Sequence, residues 1–85
     1  MIKSYTIAVP TTPTSLGTLV DLPNQCSGFL MQAPSANTGV TYFGNSGAQK
    51  GILAADKSLS FNYHRPDTMF IVGTSGDYIH LTILA

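Results

Sequence analysis

The side chains that could support chemistry are few: two histidines, one cysteine and four acidic residues, all of them aspartates. His64 and His80 stand sixteen residues apart, the first in a predicted turn and the second within a predicted strand. A structural zinc site needs about four ligands, and Cys26 would be only the third. We therefore expect no metal ion and no other cofactor. Cys26, the single cysteine, is expected to be a small buried residue near the start of a strand.

The aspartates are predicted to be turn residues. Each stands beside Gly, Pro, Lys or the end of a predicted strand, where Asp favours turns by bonding the nearby backbone. Hydrolytic chemistry usually needs two carboxylates in one cleft, or a nucleophile with a base and an orienting group. No such set is evident, so the sequence predicts that the protein is not an enzyme.

Residues 44–51 have a superficial likeness to a phosphate-binding loop. Gln49 stands where the second glycine would be, and Gly51 replaces the Ser or Thr that would hold magnesium. No helix is predicted after the segment. We interpret it as a flexible loop without a phosphate site.

Tyr63, His64 and Arg65 form the candidate protein-contact patch. They lie together at a predicted turn, and Tyr and Arg are enriched in the energetically dominant parts of interfaces. Exposed loops also carry function more often than cores do. The alternative is that such a cluster has arisen by chance, and the sequence leaves that open.

Charge is scarce in this chain. Charged residues make up 9% of it, against roughly 25% in ordinary soluble domains, and the formal net charge is zero. Without a basic stripe to neutralise phosphates, nucleic-acid binding is not expected. A surface of Ser, Thr, Asn and Gln loses little hydration energy when it is covered, so we interpret it either as a largely covered surface or as that of a neutral β protein.

No segment of the sequence predicts a membrane location. The chain has no stretch of about 18 apolar residues that could cross a membrane as a helix. Residues 1–9 contain no apolar run long enough for a signal peptide before Pro10 interrupts them. The sequence therefore predicts a protein that is made in a cytoplasm and stays soluble.

Alternation of apolar and polar residues, broken by turn signals, predicts short β-strands throughout. The stretch 37–44 is central, with a turn at 37–39 leading into a strand that stops at Gly44. In residues 14–22 a helical turn is conceivable, yet Thr, Val and Gly favour a strand at 18–22. The chain is thus predicted to be one all-β domain, residues 1–85: a small antiparallel β-sandwich or barrel of about seven short strands, jelly-roll-like or immunoglobulin-like (Ig-like). The predicted strands are residues 2–9, 18–22, 27–33, 40–43, 58–63, 68–73 and 78–84.

A succession of motifs from residue 28 to residue 84 resembles a group of viral proteins. It begins with Gly-Phe-Leu-Met-Gln-Ala at 28–33 and Asn-Thr-Gly-Val-Thr-Tyr-Phe-Gly at 37–44. After a Gly-rich loop come Leu-Ala-Ala-Asp-Lys-Ser-Leu at 53–59, Phe-Ile-Val-Gly at 70–73 and Tyr-Ile-His-Leu-Thr-Ile-Leu at 78–84. This order is similar to that in small accessory virion proteins of tailed bacteriophages, which include capsid decoration (cement) proteins. The chain departs from the pattern at one position, where Asp56 or Lys57 stands in place of a glycine.

The resemblance implies a β-sandwich that binds other virion proteins. We expect a capsid decoration protein, located in the virion, that binds the major capsid protein on the outside of an assembled head and stabilises it. A homo-oligomer, with a trimer favoured, would bury part of the neutral surface. The alternatives are a tail, neck or fibre component, or a small carbohydrate-binding module with Tyr42, Tyr63 and Tyr78 as a flat aromatic platform. The resemblance assigns no functional residue.

Overall fold

The computed structural model describes residues 2–22 and 25–84 of the chain. It contains eight β-strands, one more than the sequence predicted, with a single turn of α-helix, α1 (Leu16–Leu19), and a 3₁₀ turn, Pro66–Thr68. None of the helices described is long and apolar enough to cross a membrane. The strands are β1 (Ile2–Ala8), β2 (Thr14–Ser15), β3 (Gly28–Gln32), β4 (Thr41–Asn45), β5 (Ala48–Leu53), β6 (Ser58–Phe61), β7 (Phe70–Val72) and β8 (Tyr78–Leu84).

The strands form two four-stranded antiparallel sheets. The first sheet has the order β1-β8-β3-β6 and the second has the order β2-β7-β4-β5. This pair of strand orders is that of an eight-stranded jelly roll, a sandwich built from two Greek keys. The predicted all-β sandwich is confirmed, and the topology selects the jelly roll over the immunoglobulin-like and barrel alternatives.

The core lies between the two sheets and follows the predicted alternation. In β8, Ile79, Leu81 and Ile83 are fully buried while the residues between them face outward. Ile7 in β1 pairs with Ile79, and Phe29 and Met31 in β3 pair with the next buried residues of β8, so the three strands present one apolar face. The buried apolar residues are Ile7, Val9, Leu16, Cys26, Phe29, Met31, Ala33, Leu53, Ile71, Ile79, Leu81 and Ile83.

The strand predicted at residues 18–22 is wrong: α1 occupies Leu16–Leu19, and residues 20–22 are not in a strand. Leu16 is completely buried, and its N–H donates to the carbonyl of Met69 at 2.8 Å. Leu19 and Val20 pack against the core from the same turn. Burial of these side chains at one end of the sandwich outweighs the β preference of Thr and Val, which is a weak local tendency.

The flexible loop predicted at residues 44–51 is also wrong, because this segment forms most of the β4–β5 hairpin. The Asn45 side-chain oxygen accepts hydrogen bonds from the N–H groups of Gly47 and Ala48, at 2.8 and 2.9 Å, and so closes the turn. The pairing is irregular between Phe43 and Asn45. At Gly44 a Cβ would lie 2.2 Å from the Ala48 carbonyl oxygen, so this irregularity requires glycine.

Within residues 37–39, where a turn was predicted, the chain bends at 38–39, and this segment is bonded to the start of β8. The Asp77 carboxylate accepts hydrogen bonds from the N–H groups of Thr38 and Gly39, at 2.9 and 3.0 Å, and from the Thr38 hydroxyl at 3.2 Å. The Asn37 side chain bonds both backbone groups of Tyr78, at 2.7 and 3.0 Å. We call this arrangement, residues 37–39 with Asp77 and Tyr78, the clamp.

The turn residues Thr, Ser, Gly and Asp at 74–77 predict a hairpin between the flanking strands, and the structure shows that this prediction is wrong. They form a turn, with the Asp77 N–H donating to the Thr74 carbonyl at 3.2 Å, but the strands on either side belong to different sheets. The turn therefore carries the chain across the sandwich. Local turn signals predict where the chain reverses but not which sheet the next strand joins.

Candidate binding groove

An apolar groove of about 330 Å³ opens on the surface at the end of β6. It lies at the opposite end of the sandwich from the clamp, since β4 begins beside the clamp and ends at the groove. All of its lining residues are uncharged, and their exposed surface is predominantly apolar. They are Gly44, Asn45, Phe61, Tyr63, Thr68 and Met69.

Aromatic packing positions the groove wall. Phe61, the last residue of β6, stacks on Phe29 with ring centroids 4.9 Å apart and meets the Phe43 ring edge-on at 5.3 Å. Tyr63 continues the row, with its ring 6.4 Å from Phe29, and remains 44% exposed. Gly44 and Asn45, at the end of β4, line the groove from the second sheet.

The polar atoms of the groove bond one another. The Thr68 hydroxyl donates to the Arg65 carbonyl at 2.7 Å, which leaves it to accept a hydrogen bond from the Tyr63 hydroxyl at 2.8 Å. The Asn45 side-chain oxygen accepts two hydrogen bonds within its own turn. A ligand entering the groove therefore meets mainly hydrocarbon, and affinity would come from burial of apolar surface.

The three residues of the predicted contact patch have different contacts in the structure. All three are exposed, but Tyr63 alone of them lines the groove. His64 Nδ1 lies 3.0 Å from the Cys26 carbonyl oxygen and so donates to it. The Arg65 guanidinium donates two hydrogen bonds to the Asp67 carboxylate, each with an N–O distance of 3.1 Å. Participation of the patch in a protein contact remains a prediction.

The Arg65–Asp67 pair leaves the rim of the groove without net charge. The hydrogen bond from Arg65 lowers the pKa of Asp67 below its ordinary value, and the same bond raises the pKa of Arg65. Both groups therefore stay ionised at neutral pH. The pair is exposed to solvent, so it contributes little to stability.

The two histidines are far apart in the fold. His64 lies beside Cys26, while His80 faces outward from the first sheet with Nδ1 3.1 Å from the Thr6 hydroxyl. Within residues 2–22 and 25–84, no group of three or more His, Cys, Asp or Glu side chains could hold a metal ion.

The three tyrosines considered as a sugar-binding platform do not share a surface. Tyr42 faces outward from the second sheet and Tyr78 faces outward from the first, because the residue beside each is buried between the sheets. Tyr63 lies at the groove, at the end of the sandwich. A flat aromatic platform built from these three residues is therefore not formed.

The outer faces of the two sheets differ in character. At the outward positions described for the first sheet there is no Asp, Glu, Lys or Arg, and two rows of mostly polar side chains cross its four strands. Both outer faces expose large apolar side chains, Ile2, Tyr78 and Leu84 on the first sheet and the paired Tyr42 and Ile52 on the second. The second sheet also carries an exposed charged residue, Lys50 on β5. The rows are Ser4, Thr82, Leu30 and Ser60, and Thr6, His80, Gln32 and Ser58.

Sequence reasoning identified Tyr63 but missed the rest of the groove. The alternation of Leu59, Phe61 and Tyr63 does indicate one apolar face, and that signal was available. Gly44, Thr68 and Met69 reach the groove only because β4 ends and β7 begins beside β6 of the other sheet, a consequence of topology.

Comparison of the chain with protein-family models, with curated protein sequences and with solved structures finds no match.

Proposed function

We propose that this protein is a non-enzymatic structural component of a tailed-bacteriophage particle, a decoration protein that binds the outside of the assembled head. The motif succession over residues 28–84 supports this assignment, and the observation that carries it is the uncharged outer face of the first sheet. A face without full charges can be covered at little cost in hydration energy.

The proposed mechanism is additive contact. Each copy bridges adjacent capsid subunits and binds the assembled state better than the separated subunits, so it stabilises the assembly by mass action. Many copies multiply this effect over the shell. Clustering around symmetry axes, with trimers favoured at three-fold positions, would also cover free strand edges.

Copy number separates the head assignment from a tail, neck or fibre assignment. Quantitative mass spectrometry on gradient-purified particles of the virus that encodes the chain would give its ratio to the major capsid protein. A ratio corresponding to hundreds of copies per particle is expected. A handful of copies would move the protein to the tail or neck, and its absence from the particle would overturn a virion role.

Binding to capsids tests which face is used. Thr82→Lys places a charge at the centre of the first sheet's outer face, whereas Ile52→Lys places the same charge on the second sheet. We expect the first variant to lose binding to mature capsids and the second to retain it, provided that both keep the wild-type melting temperature. Equal binding by both variants would contradict docking through the first sheet.

A further inference from the structure

We propose that the outer edge of β6, together with the groove beside it, binds an extended uncharged segment of another protein as an added β-strand. This inference goes beyond the virion assignment, since it concerns a peptide-binding edge that can be tested without capsids. It rests on two independent observations, the composition of the sheet edges and the position of the groove.

Three of the four sheet edges carry features that discourage strand addition. β1 contains Lys3 and β5 contains Lys50, and charged side chains, especially Lys, disfavour pairing with a further strand. β2 is two residues long and follows Pro13, so it offers almost no edge. β6 differs from these three, because its four residues, Ser-Leu-Ser-Phe, include neither charge nor proline.

The edge of β6 is also open. Among the described strands, β6 pairs with β3 on one side and has no strand on the other. An edge of this kind presents backbone N–H and C=O groups to an incoming extended chain, which is how sheet-edge binding domains gain affinity. Four residues span roughly 13 Å, enough for a short added strand.

The groove supplies the side-chain contact that such a strand would need. Leu59 and Phe61 face the inside of the sandwich, paired with Met31 and Phe29, so alternate residues of an added strand would face the same way. At the Phe61 end those residues would meet the groove wall formed by Tyr63 and Met69. The occupant is therefore an extended segment with apolar residues at alternate positions.

Charge and packing decide between possible occupants. The groove has no charged lining residue, and Arg65 at its rim is neutralised by Asp67, so the occupant must itself be uncharged there. A second copy of β6 fits poorly, since its one bulky aromatic side chain, Phe61, is already packed between Phe29 and Phe43. Its other bulky residue, Leu59, lies near the opposite end of a four-residue strand.

A designed peptide tests the proposal directly. The probe is the acetylated, amidated peptide Lys-Thr-Val-Thr-Leu-Thr-Lys, whose terminal lysines keep it soluble and lie outside the strand. In the control peptide the central Thr is replaced by Pro, which removes a backbone donor. Fluorescence anisotropy would measure binding, and amide hydrogen exchange would locate it. We expect added protection within residues 58–61 with the first peptide and none with the second.

Matched variants of the protein complete the test. Leu59→Lys places a charge on the β6 edge and should weaken binding by about tenfold or more. Ile52→Lys adds the same charge to an exposed apolar position on β5 and should leave binding unchanged. The proposal is overturned if residues 58–61 gain no protection at millimolar peptide, or if the two variants bind alike. It is also overturned if the protein dimerises through β6 and Leu59→Lys makes it monomeric.

Discussion

The two ends of the sandwich differ in what they expose: the clamp end buries a hydrogen-bonded carboxylate, whereas the groove end leaves aromatic side chains accessible. At the clamp, a nearly inaccessible carboxylate, 3% exposed, accepts three hydrogen bonds and ties the turn at 37–39 to β8. At the groove, aromatic side chains stay accessible although apolar burial would stabilise the fold. Satisfied polar groups indicate a region that fixes the structure, and unfilled apolar surface indicates one that is available to a partner. Substitutions at the two ends should therefore have different consequences.

Removal of the Asp77 carboxylate should have the largest effect on stability. Asp77→Ala leaves the N–H groups of Thr38 and Gly39 without acceptors in a site that water barely reaches. Asp67→Ala at the groove end is the matched control, because it removes a partly exposed carboxylate and keeps the Cβ that lies near Gly17. Thermal unfolding followed by circular dichroism should show a large fall in Tm for the first variant and little change for the second. Equal falls would contradict the structural role of the clamp.

Acid should weaken the clamp. The hydrogen bond from the Thr38 backbone, with that from Gly39, lowers the pKa of Asp77 below its ordinary value of 3.8. A carboxyl group with a lower pKa in the folded state stabilises folding above its unfolded pKa, and this contribution disappears as pH falls through the folded value. We therefore expect the free energy of unfolding, measured with urea, to be level near neutral pH and to fall below about pH 4.

The Asp77→Ala variant gives the control for this pH dependence. Its unfolding free energy should fall less steeply in acid, and it should approach that of the wild type at the lowest pH. Asp67→Ala should also lessen the slope, because Arg65 lowers the pKa of Asp67 in the folded protein. An unchanged acid slope in Asp77→Ala would show that this carboxylate does not carry the effect.

The same contrast explains what the sequence could predict. Period-two alternation identified β1, β3 and β8 and put Ile79, Leu81 and Ile83 on one face, which is the buried one, because burial on one face of a sheet imposes that pattern directly. The turn at 37–39 was evident from its Asn, Thr and Gly. Asp77 was predicted to be a turn residue like the other aspartates, and its three long-range hydrogen bonds could not be inferred from its neighbours in sequence.

Long-range placement accounts for the remaining errors. Residues 16–19 form a helix because Leu16 fills the end of the core, and residues 44–51 form a hairpin because β5 pairs along β4. Neither outcome follows from local propensity, which tertiary packing can override. The groove was missed for the same reason, since its walls come from both sheets.

Asn37 and Asn45 provide a second comparison between the ends. Each side chain bonds two backbone groups, but Asn37 joins segments distant in sequence whereas Asn45 closes its own exposed turn. We expect Asn37→Ala to cost about 1–3 kcal/mol and Asn45→Ala about 0.5 kcal/mol. Urea unfolding of both variants would measure the difference. A larger loss for Asn45→Ala would show that the hairpin, not the clamp, limits stability.

Thr41 lies at the clamp end of the sandwich, as the first residue of β4. It is 1% exposed, and its hydroxyl has no hydrogen-bond partner among the described residues. Thr41→Val replaces this hydroxyl with a methyl group of similar shape and should raise the unfolding free energy by about 1 kcal/mol. Thr38→Val is the control, since its hydroxyl donates to Asp77, and it should lower Tm. A fall in stability for Thr41→Val would reveal a partner for the hydroxyl.

The smallest effect is expected at the groove. Tyr63→Phe removes the hydrogen bond to the Thr68 hydroxyl, which is exposed and replaceable by water, so Tm should change little. The ring remains, and binding of the strand-forming peptide should be unchanged because the groove attracts its occupant through hydrocarbon. Tyr63→Ala removes the wall itself and should weaken peptide binding while the fold persists, as followed by circular dichroism and anisotropy. If Tyr63→Phe weakened binding as much as Tyr63→Ala, recognition would depend on the hydroxyl, and the groove would be a polar site.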